Sequence, residues 1–335
     1  MPDLPLLLVL IVLVALAFDF TNGAHDSANA IASVVSTKVL SPRTAVIMAA
    51  VLNLAGALLG EEVATTLGKG VVNPDVVAGS QVLVLAALAG AIGWNLITWY
   101  AGLPSSSSHA LIGGLIGAAV AHAGFSSLNA PSIGTKVLLP LVLSPLVGFL
   151  AGFLMMNLLK LVFWHVNRHK ANRLFHRLQM LSAAFMATSH GLNDAQKTMG
   201  IITLALFLFG KIDAIHVPLW VKICCATAMA CGTAMGGWKI IKTMGHKIFK
   251  LEPVYGFAAE SSASLAIMGA SMLGAPVSTT HTITASIFGV GSTKRLSAVH
   301  WGVAGSLLTA WVLTIPAAAL LGALCFGVFH LLGLG

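Results

Sequence analysis

The chain has 335 residues, of which 57% are hydrophobic and 8% charged, with a mean hydropathy of +0.93. Soluble domains carry about a quarter of charged residues, so a soluble enzyme is excluded. The net charge of +8 lies in short segments between apolar runs, which argues for membrane topology rather than for a nucleic-acid partner. Apolar runs near the ~20 residues that span a bilayer as helix, continuous and rich in Leu, Ala and Gly, predict an all-α polytopic membrane protein of about 10–12 transmembrane segments. A β-barrel would alternate. Cys224, Cys225, Cys231 and Cys325 lie in apolar segments without metal-ligand spacing and read as small buried hydrophobes. Asp3, with no Lys or Arg before the first apolar run, is unlike a cleaved basic leader, so residue 1 onward is expected to be mature protein.

In chain order, an apolar run from Leu4 to Phe20 flows into the polar stretch Asn22-Gly23-Ala24-His25-Asp26-Ser27-Ala28-Asn29-Ala30 and continues to Thr37. As one helix these 34 residues would measure about 51 Å, longer than a ~30 Å hydrocarbon core. A break is expected at Asn22–Gly23. A second span covers Thr44–Leu59, followed by a loop with Glu61, Glu62 and Asp75, and a third covers Gln81–Tyr100. Gly102-Leu103-Pro104-Ser105-Ser106-Ser107-Ser108-His109 then leads into Ala110–Ala121. Proline and hydroxyls before an apolar run read as a helix N-terminus with a serine cap. Val137–Trp164 ends this half, and 165–177, with Arg168, Lys170, Arg173 and Arg177, reads as a basic cytoplasmic loop.

The plan then repeats. Leu178–Phe209 contains His190-Gly191-Leu192-Asn193-Asp194-Ala195-Gln196-Lys197-Thr198, which aligns with the first polar stretch at an offset of 168, Gly23 on Gly191 and Asp26 on Asp194. Spans at Val217–Gly237 and Phe257–Leu273 flank a basic stretch with Lys239, Lys242, Lys247 and Lys250. Gly274-Ala275-Pro276-Val277-Ser278-Thr279-Thr280-His281 follows, matching Gly102–His109 at an offset of 172. Two motifs repeated in the same order indicate an internal duplication, with halves 1–164 and 178–335 joined by the linker 165–177.

Five crossings per half, each broken helix taken as one, force the second copy to insert upside down. Charge agrees: Lys38, Arg43, Lys160, Arg168, Lys170, Arg173, Arg177, Lys239, Lys242, Lys247, Lys250, Lys294 and Arg295, 13 of the 18 Lys plus Arg, fall on one side. Lys69, Lys136, Lys211 and Lys222 fall on the other, and Lys197 lies at membrane depth. By the positive-inside rule both termini are outside, in a multi-pass plasma (inner) membrane protein. Inverted repeats with broken or re-entrant helices recur in secondary transporters, where half-helix starts face anions and carbonyls coordinate cations.

A carboxylate at the bilayer centre costs about 2.5–3.5 kcal/mol and usually marks an ion pathway. Asp26 and Asp194 are therefore candidate coupling-cation ligands, and metal ligands if the ion is Na+; the competing structural role is helix capping. Asp19 and Glu260 are further candidates without a match in the other half. Ser105, Ser106, Ser107 and Ser108, with Ser278, Thr279 and Thr280, suit an oxyanion, because helix-start amides and hydroxyls bind phosphate or sulfate without a fixed charge. Ordinary capping is the alternative, although one cap needs one serine. His109 and His281 are either ligands or structural histidines.

The two polar motifs and the two hydroxyl motifs together resemble the inorganic phosphate transporter (PiT) family, bacterial type, from about Phe18 to Arg295. The resemblance implies import of inorganic phosphate coupled to Na+ or H+ by alternating access. It also implies a transport core and scaffold, a homodimer, and no cofactor beyond the co-transported ion. Its signature residues fall on Asp26, Asn29, Asn193 and Asp194, its hydroxyl motifs on Ser105–Ser108 and Ser278–Thr280, and Asn22 and His25 lie within the first signature. Two departures stand out: His25 where many members have Asn, and Lys197 where the first half has Asn29. Lys197, one turn from Asp194, would pair with it or touch phosphate, and would repel a nearby Na+. Proton coupling, with a metal–phosphate complex as a form of the substrate, then competes with Na+ coupling. A sulfate transporter and an ion channel are the alternative functions. An enzyme is not expected, since neither a nucleophile–base–orienter set nor HExxH occurs.

Overall fold

The computed structural model describes residues 4–68, 80–214 and 216–334; Asp3, Lys69 and Asp75 lie outside them. Helices α1 (Leu4–Ser36), α2 (Pro42–Ala57), α3 (Glu62–Gly68), α4 (Val82–Ala101), α5 (Ser107–Ala123) and α6 (Leu139–Val162) form the first half. The second contains α7 (Arg168–Leu208), α8 (Leu219–Met235), α9 (Trp238–Lys242), α10 (Pro253–Met272), α11 (Thr279–Ser292) and α12 (Trp301–Leu331). No strand occurs among the described residues. The all-α membrane fold is as expected, with its breaks elsewhere.

The expected break at Asn22–Gly23 is absent: α1 runs unbroken for 33 residues, and its counterpart α7 for 41. The glycine serves helix contact instead. A Cβ on Gly23 would stand 2.2 Å from the Met229 carbonyl oxygen of α8, and one on Gly191 would stand 2.2 Å from that of Asn53 in α2. Each signature glycine thus lets the long helix of one half touch the second helix of the other, as small residues do between membrane helices. The linker differs too. Asn167 caps α7 by accepting from the His169 amide at 2.9 Å, so helix begins at Arg168 and most of 165–177 is helical.

The interruptions fall at the hydroxyl motifs. Helices α4 and α10 end at Gly102 and Gly274, both with φ of 68°, the left-handed stop that glycine adopts at no steric cost. After a short non-helical turn, α5 and α11 start as shorter helices, capped as expected by Ser106 and Ser278. A further bend of 61° separates α8 from the segment Trp238–Lys247.

Among the described residues, Leu6–Ser36, Val82–Ala101, Val142–Val162 and Trp301–Leu331 are individually long and apolar enough to cross a membrane, and the bent pair adds a fifth span. The remaining helices are shorter, or carry the polar residues of the interior. Helix α11 is buried along its whole length, whereas α6 and α12 expose Val142, Leu146, Leu154, Val312, Leu320 and Leu324, as lipid-facing helices do.

Between the halves the packing is an exchange. Helix α6 crosses α11, with Gly148 against the Thr282 carbonyl, and α12 crosses α5, with Gly113 against that of Ile315. Helices α1 and α7 run antiparallel at the centre: Thr198 reaches Asp19, and Thr37 reaches Gln179. Equivalent helices therefore point in opposite directions, which is the inverted relation expected from charge and crossing number.

Candidate functional site

Asp26 and Asp194 meet midway along the α1–α7 pair. One ligand atom each from Asp26, His190 and Asp194 lie within 4.8 Å of one another, and all three residues are buried. Burial of two carboxylates this close is costly unless cations or donors compensate. The donors come from the hydroxyl turns. Ser107 donates to Asp26 Oδ2 at 2.7 Å and Thr279 to Asp194 Oδ2 at 2.9 Å, one repeated bond in each half. Thr280 crosses to Asp26 Oδ1 at 3.2 Å.

The capping question resolves by position. Ser106 Oγ accepts from the His109 amide at 3.3 Å and Ser278 Oγ from the His281 amide at 3.2 Å, so these two hydroxyls are caps. Ser107, Ser108, Thr279 and Thr280 are the next residues, in the first turn, where helix amides have no intrahelical acceptor. They line the carboxylate cluster. Both helix starts thus bring hydroxyls to one buried centre.

The other candidates divide. Asn22 Oδ1 lies 2.5 Å from the same Ser107 Oγ. His25 contacts Asp26 Oδ1 through Nδ1 at 2.7 Å, while its Nε2 lies 3.0 Å from Thr98 Oγ1 and 3.3 Å from Ser105 Oγ. Ser105 therefore reaches the centre only through His25. Asn29 Nδ2 donates to Thr280 at 3.0 Å and to Thr279 at 3.3 Å, while its Oδ1 is buried without a hydrogen bond. Asn193 donates to Ser271 at 2.7 Å.

Lys197 is buried, and its ammonium contacts Asp194 Oδ1 at 2.5 Å, Ser108 Oγ at 2.5 Å and the Val277 carbonyl at 3.0 Å. It touches the Asp of its own half and both hydroxyl motifs.

Glu260 is not in this cluster. It accepts from the hydroxyls of Ser33 and Ser182, and from Gln179 Nε2 at 3.5 Å. Ser33 lies two turns beyond Asp26, about 10 Å along α1. Asp19, one of whose oxygens accepts from Thr198 at 2.9 Å, lies to the opposite side. His109 Nδ1 and both ring nitrogens of His281 are buried without a hydrogen-bond partner. Their ring centroids are 4.9 Å apart, and His281 stacks at 4.1 Å on Trp311, whose Nε1 donates to the Pro104 carbonyl at 3.0 Å. That stack ties the two hydroxyl turns together.

Sequence reasoning missed His190, whose Nε2 lies 3.0 Å from Asp194 Oδ2 and whose Nδ1 lies 2.9 Å from Asn53 Oδ1. Because the Asn53 amide nitrogen donates to Thr233 at 3.0 Å, its oxygen is the acceptor and His190 Nδ1 the donor. The offset of 168 places His190 on Asn22, so the alignment held the signal.

Comparison with known proteins gives the family of the chain. The sequence profile described as "Phosphate transporter family" matches residues 22–322. The chain belongs to the phosphate transporter family. It is a multi-pass membrane protein, grouped with transporters rather than enzymes. It is 49% identical over 333 residues to a Bacillus subtilis protein named "Probable low-affinity inorganic phosphate transporter", covering 99% of this chain and 100% of that one. A Rhizobium meliloti protein of the same name is also 49% identical, covering 96% of each chain. In fold, the phosphate transporter family member is similar to the solved structure titled "The sodium-dependent phosphate transporter", with a TM-score of 0.88, 24% identity, and coverage of 97% of this chain and 99% of that one.

Proposed function

We propose that this protein imports inorganic phosphate together with a cation, Na+ or H+, by alternating access between two inverted halves, 1–164 and 178–335. The observation that carries the reading is the convergence of two helix starts on two buried carboxylates. Helix-start amides and the Ser108 hydroxyl, whose oxygen accepts from Lys197, recognise the tetrahedral anion, and Ser107, Thr279 and Thr280 join them when their protons turn from the carboxylates to the anion. Two carboxylates in the same centre repel that anion, so it enters only with positive charge. Asp26 holds the mobile cation, and the ion and phosphate each make the other's binding favourable. That mutual dependence is the physical basis of symport. Names given to the bacterial relatives support phosphate as cargo.

Asp19 and Glu260 lie on opposite sides of the centre along the α1–α7 axis. They mark the two directions in which a cation leaves it. With the basic segments in the cytoplasm, Glu260 is on the inner side, and both termini are outside.

Uptake of radiolabelled phosphate into proteoliposomes tests the reading. We expect saturable uptake that needs an imposed cation gradient, with Na+ at constant pH and H+ without Na+ compared directly. Flux that needs neither gradient would make the protein a channel. Equal competition by sulfate would make it a general oxyanion transporter. A second reading, phosphate carried as a metal complex, is favoured by the mixed oxygen and nitrogen set of Asp26, His190 and Asp194; it requires labelled Mn2+ to enter in step with phosphate.

A further inference from the structure

The two halves treat one position differently. Asn29 and Lys197 are equivalent at the offset of 168, each one turn beyond the signature aspartate. In the first half, the Asn29 carbonyl oxygen is buried without a hydrogen-bond partner. It is an acceptor left open one helical turn from Asp26. In the second half the corresponding place is filled. The Lys197 ammonium has three N–H donors and three oxygen partners: the Asp194 carboxylate, the Ser108 hydroxyl and the Val277 carbonyl. Carboxylate and carbonyl oxygens are ligands of hard cations, and backbone carbonyls coordinate the ion in transporters built from inverted repeats.

We propose that Lys197 is a built-in cation: its ammonium stands where the second half would otherwise hold a coupling ion. This rests on the reading that the centre binds phosphate with cations. One mobile cation, held on the Asp26 side with the open Asn29 oxygen, then accompanies phosphate, and Lys197 supplies the second positive charge without leaving the protein. A second cation in the Asp194 cage is excluded by occupancy, since the ammonium already takes its oxygens, and by charge repulsion at that distance. Lys197 thereby sets the number of ions consumed per phosphate.

The test counts bound ions on the full-length protein purified in detergent, with 22Na+ as the probe. Lys197→Asn, which copies the residue type of the first half, is expected to bind one more Na+ per chain at saturation than the wild type, and Lys197→Arg to bind no more than the wild type. Equal saturation by Lys197→Asn and wild type overturns the proposal. A measurement on the wild type alone keeps it falsifiable if Lys197→Asn fails to fold. The proposal requires one coupling cation per phosphate from the reversal potential of uptake in proteoliposomes, and a ratio of two or more overturns it. Failure of the parent reading looks different, because there the wild type shows no cation-dependent phosphate uptake at all while the extra Na+ in Lys197→Asn can still be counted.

Discussion

The first-half and second-half signatures share a backbone plan and differ in charge. Around Asp26 the contacts come from Ser107, Thr280 and His25, and the residue one turn on is the neutral Asn29. Around Asp194 they come from Thr279 and His190, and the residue one turn on is Lys197 at 2.5 Å. Duplication preserved the hydroxyl–carboxylate bond in both halves and left the next helical turn free to set the electrostatics. A symmetric scaffold can in this way hold an asymmetric site, with the unpartnered Asn29 oxygen on one side and the Lys197 ammonium on the other.

The largest expected effect is on transport. Asp26→Asn and Asp194→Asn each remove a charged acceptor from the centre, and hydrogen bonds to charged groups contribute about 1.5–3 kcal/mol, so phosphate uptake should fall by about a hundredfold in either. Uptake above a tenth of wild type in Asp194→Asn alone would show that the half filled by Lys197 is not needed for transport. Stability should separate the same two variants. Asp194→Asn strands the buried Lys197 ammonium and should cost about 3–5 kcal/mol, whereas Asp26→Asn strands no lysine and should cost clearly less. Thermal unfolding in detergent measures the gap, and equal losses would break the contrast between the halves.

A smaller effect is expected from the signature glycines. Gly23→Ala and Gly191→Ala each push a methyl group onto a carbonyl oxygen of the facing helix, an overpacking worth about 1–3 kcal/mol, and matched losses would confirm that the two contacts are equivalent. The smallest belongs to the caps. Ser106→Ala and Ser278→Ala should each cost about 1 kcal/mol of stability. Ser107→Ala, by contrast, should raise the phosphate concentration needed for half-maximal uptake about tenfold. If the cap variants raised it as much as Ser107→Ala, the division between capping and site hydroxyls would be wrong.

Much of the site was legible because its signals are local. A helix start with a serine cap follows from proline and hydroxyls preceding an apolar run, although only the structure picks out Ser106 and Ser278, and the carboxylates stand out because nothing else in their segments explains an acid at membrane depth. Gly23 was misread for an equally physical reason. Glycine both ends helices and permits close approach, and only the position of Met229 on a neighbouring helix shows which is meant. Length misled as well, since a helix of 33 residues exceeds the hydrocarbon core yet stays intact when its polar centre is buried against other helices rather than exposed to lipid. Glu260 was grouped with the aspartates by residue type, although its donors Ser33 and Ser182 hold it two turns away along α1.

By itself the sequence determined that this is a helical membrane protein made of two related halves, each with one acidic signature and one hydroxyl-bearing helix start. Composition, periodicity and motif offset are properties of the chain read along its length. Only the tertiary structure decided that the two aspartates and both hydroxyl turns share one centre, that His190 belongs to it, and that the Lys197 ammonium fills a cage of three oxygens. Those facts depend on which helices cross and at what register, and contacts such as Ser107–Asp26, Thr279–Asp194 and Lys197–Ser108, each between residues more than eighty positions apart, leave no periodic trace in the chain.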